Sequence, residues 1–298
     1  RVNTHIFYHS RLADILQGGG AHLGDLILAA ILCSIGGVCI RMIPWTPLAI
    51  NGARCAIAAC ITGSYLWRGG VRFRISYPVI CGALSLCLTT NLYVFSSKLA
   101  GASCAVLLLY TAPIWVLLVD VAVQKKTFAP RAVACCALVF GGVFLLAADG
   151  FRVGAALGIV LGLCSGIAYA GVFVFGTQCG EYAASAYFFG QIAGAVLGFP
   201  FLAMEDDFSF VPLLCAALLG VFQLGFSYVL MAKGLLKTSA VTASIVTALE
   251  PALTPVWVAI FCGEMPSKAV ICGAAVILCG VVLQQAGGKR QRLQDATR

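Results

Sequence analysis

The sequence predicts an all-α integral membrane protein of about ten transmembrane helices, built as two inverted five-helix repeats with both termini cytoplasmic. Three observations carry that prediction. Of 298 residues, 61% are hydrophobic and 10% are charged, with a mean hydropathy of +1.00; soluble domains carry about 25% charged residues. Apolar runs of roughly 20 residues, the length that crosses a bilayer, recur along the chain. One proline-bearing run is written twice, since Gly101–Ala122 places Pro113 where Thr238–Ala259 places Pro251, 138 positions on.

The elements follow in order. Residues 1–21 are polar, end in Gly18-Gly19-Gly20 and lack the apolar core of a signal peptide, so they read as a cytoplasmic or interfacial tail. The first repeat, 22–149, holds spans at Leu23–Ile40, Pro47–Trp67, Tyr77–Ser97, Ala102–Val123 and Ala132–Ala148. The second, 150–287, holds spans at Ala155–Gln178, Ala183–Ala203, Val211–Ala232, Ser239–Cys262 and Ala269–Ala286, before a basic cytoplasmic tail at 288–298. With the amino terminus inside, the cytoplasmic segments collect Arg68, Arg72, Arg74, Lys125, Lys126, Arg131, Lys233, Lys237, Lys289 and Arg290. The outside keeps Arg41, Lys98, Arg152 and Lys268, together with the acidic run Glu205-Asp206-Asp207, as the positive-inside rule requires. Five spans per half is an odd number, so the second half enters from the opposite face and the repeats are inverted. The halves join near Asp149-Gly150.

Further echoes support the duplication: Gly142 with Gly280, Tyr93 and Lys98 with Tyr228 and Lys233, and Leu32-Cys33-Ser34 with Leu163-Cys164-Ser165. Glycines recur every four residues at Gly154, Gly158, Gly162 and Gly166, and again at Gly190, Gly194 and Gly198. Such faces let helix backbones approach closely in lipid, within one chain or between two copies.

Several functions are excluded or disfavoured. The net charge of +8 sits in short clusters between apolar runs, which is loop topology rather than a nucleic-acid surface. The 15 cysteines lie mostly inside apolar runs without a Cys-x-x-Cys pair, as small packing residues do. His5, His9 and His22 all stand at or before the first span, so a histidine-bound metal, a histidine relay or a histidine-activated nucleophile is not expected. No Gly-x-x-x-x-Gly-Lys-Ser/Thr loop is present to hold ATP phosphates. No cofactor is implied, and the chain does not read as an enzyme.

The ninth span is the chemical one. Ser244, Thr247, Glu250 and Thr254 share a helix face, and Glu250 is an ionisable residue at membrane depth, a functional candidate in its own right. Pro251 cannot donate to the Thr247 carbonyl, so a kink is predicted there with a free acceptor for water or ligand. Glu250 either faces a cavity, where it contacts an ammonium group or exchanges a proton, or it bonds neighbouring helices and stiffens the kink. The matching position in the first half is Ala112. Arg54, with Asn51 on its face, either holds a substrate carboxylate or snorkels and bonds helix carbonyls.

Taken together, the chain resembles the EamA-type drug/metabolite transporters over Leu23 to Gln285. The residues that carry the resemblance are Ala53-Arg54, Asn91-x-Tyr93, Lys237-Thr238-Ser239-Ala240 leading to Glu250-Pro251, and Gly263-Glu264. Lys125-Lys126 stands where the first repeat of that family often has Gly-Glu. The resemblance implies a secondary transporter of small metabolites, commonly amino acids or their relatives and often outward, with a cavity formed by spans one, three, four, six, eight and nine. Asn91, Tyr110, Tyr169, Gln223, Ser227, Thr247 and Glu250 are the candidate cavity residues on those spans. Ser34 and Ser165, at equivalent positions, are substrate or packing contacts, and Pro113 and Pro251 are candidate hinges for alternating access. The expected partners are a small-molecule substrate and the bilayer, with a proton as a coupling ion; the chain acts as a monomer or homodimer in the cell (inner) membrane. An intramembrane enzyme acting on lipid, or a membrane scaffold or sensor, is the alternative reading.

Overall fold

The computed structural model describes residues 22–69, 73–122, 130–147, 156–262 and 268–296, all helices and short turns with no strand among them. The tail read at 1–21, the Lys125-Lys126 run, Gly263-Glu264 and the join at Asp149-Gly150 lie outside the described residues. In the first half, α1 is His22–Met42, α2 Pro47–Arg68 and α3 Tyr77–Ala100. α4 comprises Ala102–Leu109 and Ala112–Ala122, and α5 is Pro130–Ala147. In the second half, α6 is Ala156–Cys179, α7 Ala183–Leu202 and α8 Phe210–Leu235. α9 comprises Ala240–Thr247 and Leu249–Cys262, and α10 is Lys268–Ala296.

Among the described residues, four stretches are long and apolar enough to cross a membrane: His22–Met42, Tyr77–Ala100, Ala156–Leu202 and Phe210–Leu235. The outer surface fits that setting. Leu157, Val196, Phe199, Ile260 and Val282 are all more than half exposed, with no polar face to account for them in water. α10 runs on to Ala296 through a segment read as a tail, because Lys, Arg, Gln, Leu and Ala are all good helix formers.

The helix ends follow from local sequence. Pro47 and Pro78 sit in the first turns of α2 and α3, where a missing N–H costs nothing. Ser239 caps α9, its side chain accepting from the Thr242 N–H at 3.2 Å. At the start of α2 the cap comes from elsewhere in the chain: Glu205 accepts from both the N–H and the hydroxyl of Thr46 at 2.7 Å. Beside it Trp45 Nε1 donates to the Asp207 carbonyl at 2.6 Å, and Lys98 Nζ donates to the Ile43 carbonyl at 2.6 Å. The Asp207 carboxyl is held below the ordinary carboxylate range by hydrogen bonds from Ser209. At the opposite end of α1 the His22 ring bonds the Lys233 carbonyl at 2.7 Å. α1 is thus fastened to the second half through His22 at one end and through the turn to α2 at the other.

Reciprocal packing relates the two halves. A Cβ placed on Gly142 in α5 would meet the Gly273 carbonyl and Ile277 in α10; a Cβ on Gly280 in α10 would meet the Cys135 carbonyl and Val139 in α5. Each residue in the second pair of partners is 138 positions from its counterpart. Such self-complementary contact is the mark of a two-fold relation. The pairing runs antiparallel, and so does the contact of α2 with α7, where Gly52 abuts Gly198 while Cys55 lies against Gly194. Equivalent helices therefore lie head to tail. The glycine faces of α6 and α7 are spent within the chain: Gly158 and Gly162 on α3 and α4, Gly190 on α3, Gly194 and Gly198 on α2.

Candidate functional site

Among the described residues four helices are irregular, and the irregularities converge. α4 breaks at Tyr110-Thr111 and α9 at Ala248, each three residues or fewer before its proline and at equivalent positions of the repeat. α1 breaks at Ser34-Ile35, and α8 widens into a π-helical segment over Leu219–Phe226. Irregular backbone at membrane depth survives only where protein or a cavity satisfies it. Here side chains do so. Cys33 Sγ donates to the Gln223 carbonyl at 3.5 Å, Ser227 Oγ donates to the same carbonyl, and Gln191 Nε2 donates to that of Leu224 at 3.0 Å. At the α1 break, Thr254 Oγ1 donates to the Ser34 carbonyl at 3.3 Å and Trp257 Nε1 donates to Ser34 Oγ at 2.6 Å.

The carbonyl left without a partner by Pro251 is not open to a ligand. Thr247 O accepts from the Tyr110 hydroxyl at 2.8 Å, and the same hydroxyl lies 2.8 Å from Glu250 Oε2. One phenol from α4 thus serves both the broken backbone and the carboxylate of α9, because the two-fold brings the two breaks together. The Tyr110–Glu250 pair is satisfied in either protonation state: a protonated Glu250 donates to the phenol oxygen, and the phenol proton then goes to Thr247 O.

Glu250 opens on a small cavity between the halves, with room for about two waters in some 30 Å³. Arg54, 1% exposed, lines the same cavity, and Glu250 is 6% exposed. Arg54 reaches across from α2: Nε donates to Asn51 Oδ1, one terminal nitrogen to Gln223 Oε1 and the other to the Thr90 carbonyl, each at 3.0 Å. All three partners are neutral. No carboxylate of the described residues comes within 4.0 Å of the guanidinium, Glu250 included. Thr89, Thr90 and Tyr93 line the cavity from α3, and Leu224 and Tyr228 from α8. Tyr169 of α6 completes it, edge-on to Tyr110 with ring centroids 6.1 Å apart. The Tyr93 hydroxyl is buried without a hydrogen-bond partner.

A model of the EamA-like transporter family matches residues 23–148 and again 156–284. The chain belongs to the EamA-like transporter family. Each match covers one half, so the EamA repeat is the unit that the two-fold relates. A crystal structure has the same fold: it is 17% identical, superposes with a TM-score of 0.76, and the match covers 89% of this chain and 97% of that one. No curated protein matches the sequence. An EamA protein is a membrane transporter of small solutes, so a cavity between its repeats is where solute chemistry is sought.

The candidate residues separate by their distance from the cavity. Arg54, Tyr169, Gln223 and Glu250 line the cavity. Tyr110, Ser227 and Thr247 are buried just behind it, and their hydroxyls are engaged with protein: Tyr110 as above, Ser227 with Gln223 O, and Thr247 with Ser244 O at 3.1 Å. Asn91 is half-buried, donates to the Cys87 carbonyl of its own helix at 2.9 Å and does not line the cavity. Ser34 and Ser165 are fully buried, each donating three residues back at 2.6 Å. Pro113 and Pro251 are buried beside the breaks in α4 and α9.

Thr89, Thr90, Tyr93 and Tyr228 are cavity residues that the sequence reading did not name as such. Helical phase explains the first three, because residues 89, 90 and 93 share a face from which residue 91 is turned away. The repeat held the signal for the tyrosines: Tyr93 and Tyr228 are counterparts, and a two-fold that passes near a cavity delivers both to it.

Proposed function

We propose that this protein is a secondary carrier of small amine-bearing metabolites, amino acids and their relatives foremost, working by alternating access. The observation that carries the reading is a carboxylate, Glu250, buried between the two repeats on the wall of a small cavity. A buried carboxylate without a cationic partner within 4.0 Å is costly to keep, and an incoming ammonium group relieves that cost. The cavity is too small for such a cargo in its present form, so binding requires the halves to part. α1 is the element that would have to let go, at the Glu205–Thr46 end or at the His22–Lys233 end. Breaks in α4 and α9 supply the bending points.

In this reading the chain crosses the bilayer ten times with both termini cytoplasmic, on the strength of the Lys and Arg asymmetry between its loops. A proton is the natural counter-ion, because the Tyr110–Glu250 pair is hydrogen-bonded with or without it. Net flux is outward and the membrane is the cell (inner) membrane. The test is efflux from proteoliposomes loaded with labelled amino acids and related amines, with and without a pH gradient. Saturable, protein-dependent loss of particular amines that responds to the gradient supports the carrier; absence of flux for every compound, from folded protein, contradicts it.

A further inference from the structure

α2 and α8 run side by side and in the same direction. A Cβ on Gly220 would meet Ile57, one on Gly225 would meet Ile61, and further along Lys233 Nζ lies over the Tyr65 ring, 5.1 Å from its centroid. Positions 57, 61, 65 and 68 form one helical face, so Arg68 continues the α2 side of this seam just beyond Tyr65. The seam borders the lipid-facing surface. Beside it Cys60, Ser64 and Trp67 of α2 are exposed, Trp67 by 87%, and on α8 the rings of Phe222 and Phe226, paired at 6.2 Å, are exposed as well. Phe226 and Lys233, seven residues apart, share a face of α8. From Phe222 to Lys233 is roughly 15 Å along the helix, the depth of one leaflet of a ~30 Å hydrocarbon core.

Two apolar stripes thus each end in a cation, at the level where Trp67 marks the membrane interface. Arg68 is exposed and Lys233 half-buried, and no carboxylate of the described residues comes within 4.0 Å of either. The Tyr65 ring holds the ammonium group in place without neutralising it. We propose that the seam between α2 and α8 binds one anionic phospholipid, its phosphodiester held by Arg68 and Lys233 and an acyl chain lying along Phe222 and Phe226. Charge selects this occupant. A second copy of the chain, related by a two-fold along the membrane normal, would bring the same two cations to the same depth and repel them. A zwitterionic lipid carries a cation of its own beside the phosphate. Lys233 also holds α1, since its carbonyl bonds the His22 ring at 2.7 Å, so an occupied site braces the end of the bundle where α1 is fastened. The site lies apart from the cavity and holds whatever the cargo is.

The test needs no transport. Native mass spectrometry of the purified full chain, in micelles doped equally with phosphatidylglycerol and phosphatidylcholine, counts the lipid retained, and thermal unfolding in the same micelles reads its effect. One phosphatidylglycerol should be kept at a preference of about tenfold or more, the joint effect of two basic residues at an anionic surface, and should raise the melting temperature above that in phosphatidylcholine alone. Arg68→Gln changes an exposed side chain, so it should melt as wild type in phosphatidylcholine. Its preference should fall about fivefold, the ~1 kcal/mol that one basic residue contributes. Lys233→Gln should lower it by a similar factor. Arg41→Gln removes an exposed charge at the opposite end of the bundle and should leave the preference unchanged. Equal retention of the two lipids overturns the site, and so does an equal loss in Arg41→Gln, which would make the preference a matter of net charge. Inorganic phosphate that stabilises as well as phosphatidylglycerol overturns it in favour of a free anion, and a dimer that excludes the lipid overturns it in favour of a second copy.

Discussion

The fourth and ninth helices occupy equivalent places in the two halves, break at equivalent residues and carry equivalent prolines, yet they do different things. α4 has Tyr110 at its break and Ala112 before Pro113; α9 has Ala248 at its break and Glu250 before Pro251. What the two share is backbone: a missing N–H at the proline and a turn just ahead of it. Where they differ is chemistry, and the differences interlock, since the phenol of one half bonds the carboxylate of the other. Duplication supplied two bending points. The second copy then carries a carboxylate beside its break and the first the hydroxyl that bonds it.

Tyr110→Phe should be the sharpest way to break that interlock. It leaves Thr247 O and Glu250 without their shared donor, each an unmet group worth about 1–3 kcal/mol. Transport should fall by about tenfold or more with a lower melting temperature; an unchanged protein would mean that the two breaks are independent.

The α5–α10 contact tests the two-fold itself. A Cβ at Gly142 would come within 2.6 Å of Ile277 Cγ1 and 2.7 Å of the Gly273 carbonyl, whereas one at Gly280 finds nothing nearer than 3.2 Å, at Val139 Cγ2. Gly142→Ala should therefore cost about 1–3 kcal/mol through overpacking. Gly280→Ala should be close to neutral, because the gain in helix propensity of up to about 1 kcal/mol offsets a mild contact. Thermal unfolding in detergent reads both, and equal losses would show that the interface is more symmetric than its geometry. The smallest effect is expected from Pro251→Ala. The restored N–H competes with Tyr110 for Thr247 O, so turnover should slow by about two- to five-fold, a barrier change near 0.5–1 kcal/mol, at unchanged half-saturation. Identical turnover would remove the α9 break from the transport cycle.

Much of this architecture could be read from the chain. Apolar runs placed the helices, and the 138-residue offset placed both breaks to within three residues, because proline dictates them locally. The break at Ser34-Ile35 and the π-helical stretch at Leu219–Phe226 were not legible, since no proline marks either. They depend on donors from other helices, Thr254 and Trp257 for one, Cys33 and Gln191 for the other. Cys33 itself read as a packing residue and lines the cavity. Glu250 and Arg54 stood out singly, as charges at membrane depth do. That they face one cavity without touching is a fact of tertiary structure, as is the hydroxyl that occupies the acceptor beside Pro251.

Glu250 decides whether the cavity is a transport site or a braced joint. The most direct measurement sets flux through Glu250→Gln beside its melting temperature in the same reconstituted preparation. The amide keeps the size of the carboxyl group and still accepts from Tyr110, so folding should survive with a shift of a few degrees, corresponding to about 1 kcal/mol or less. Flux should fall by about ten- to a hundred-fold, the 1.5–3 kcal/mol of a charge-assisted contact to an ammonium group. Wild-type flux from the variant would contradict the account, and so would a loss of flux that only tracks a loss of folded protein.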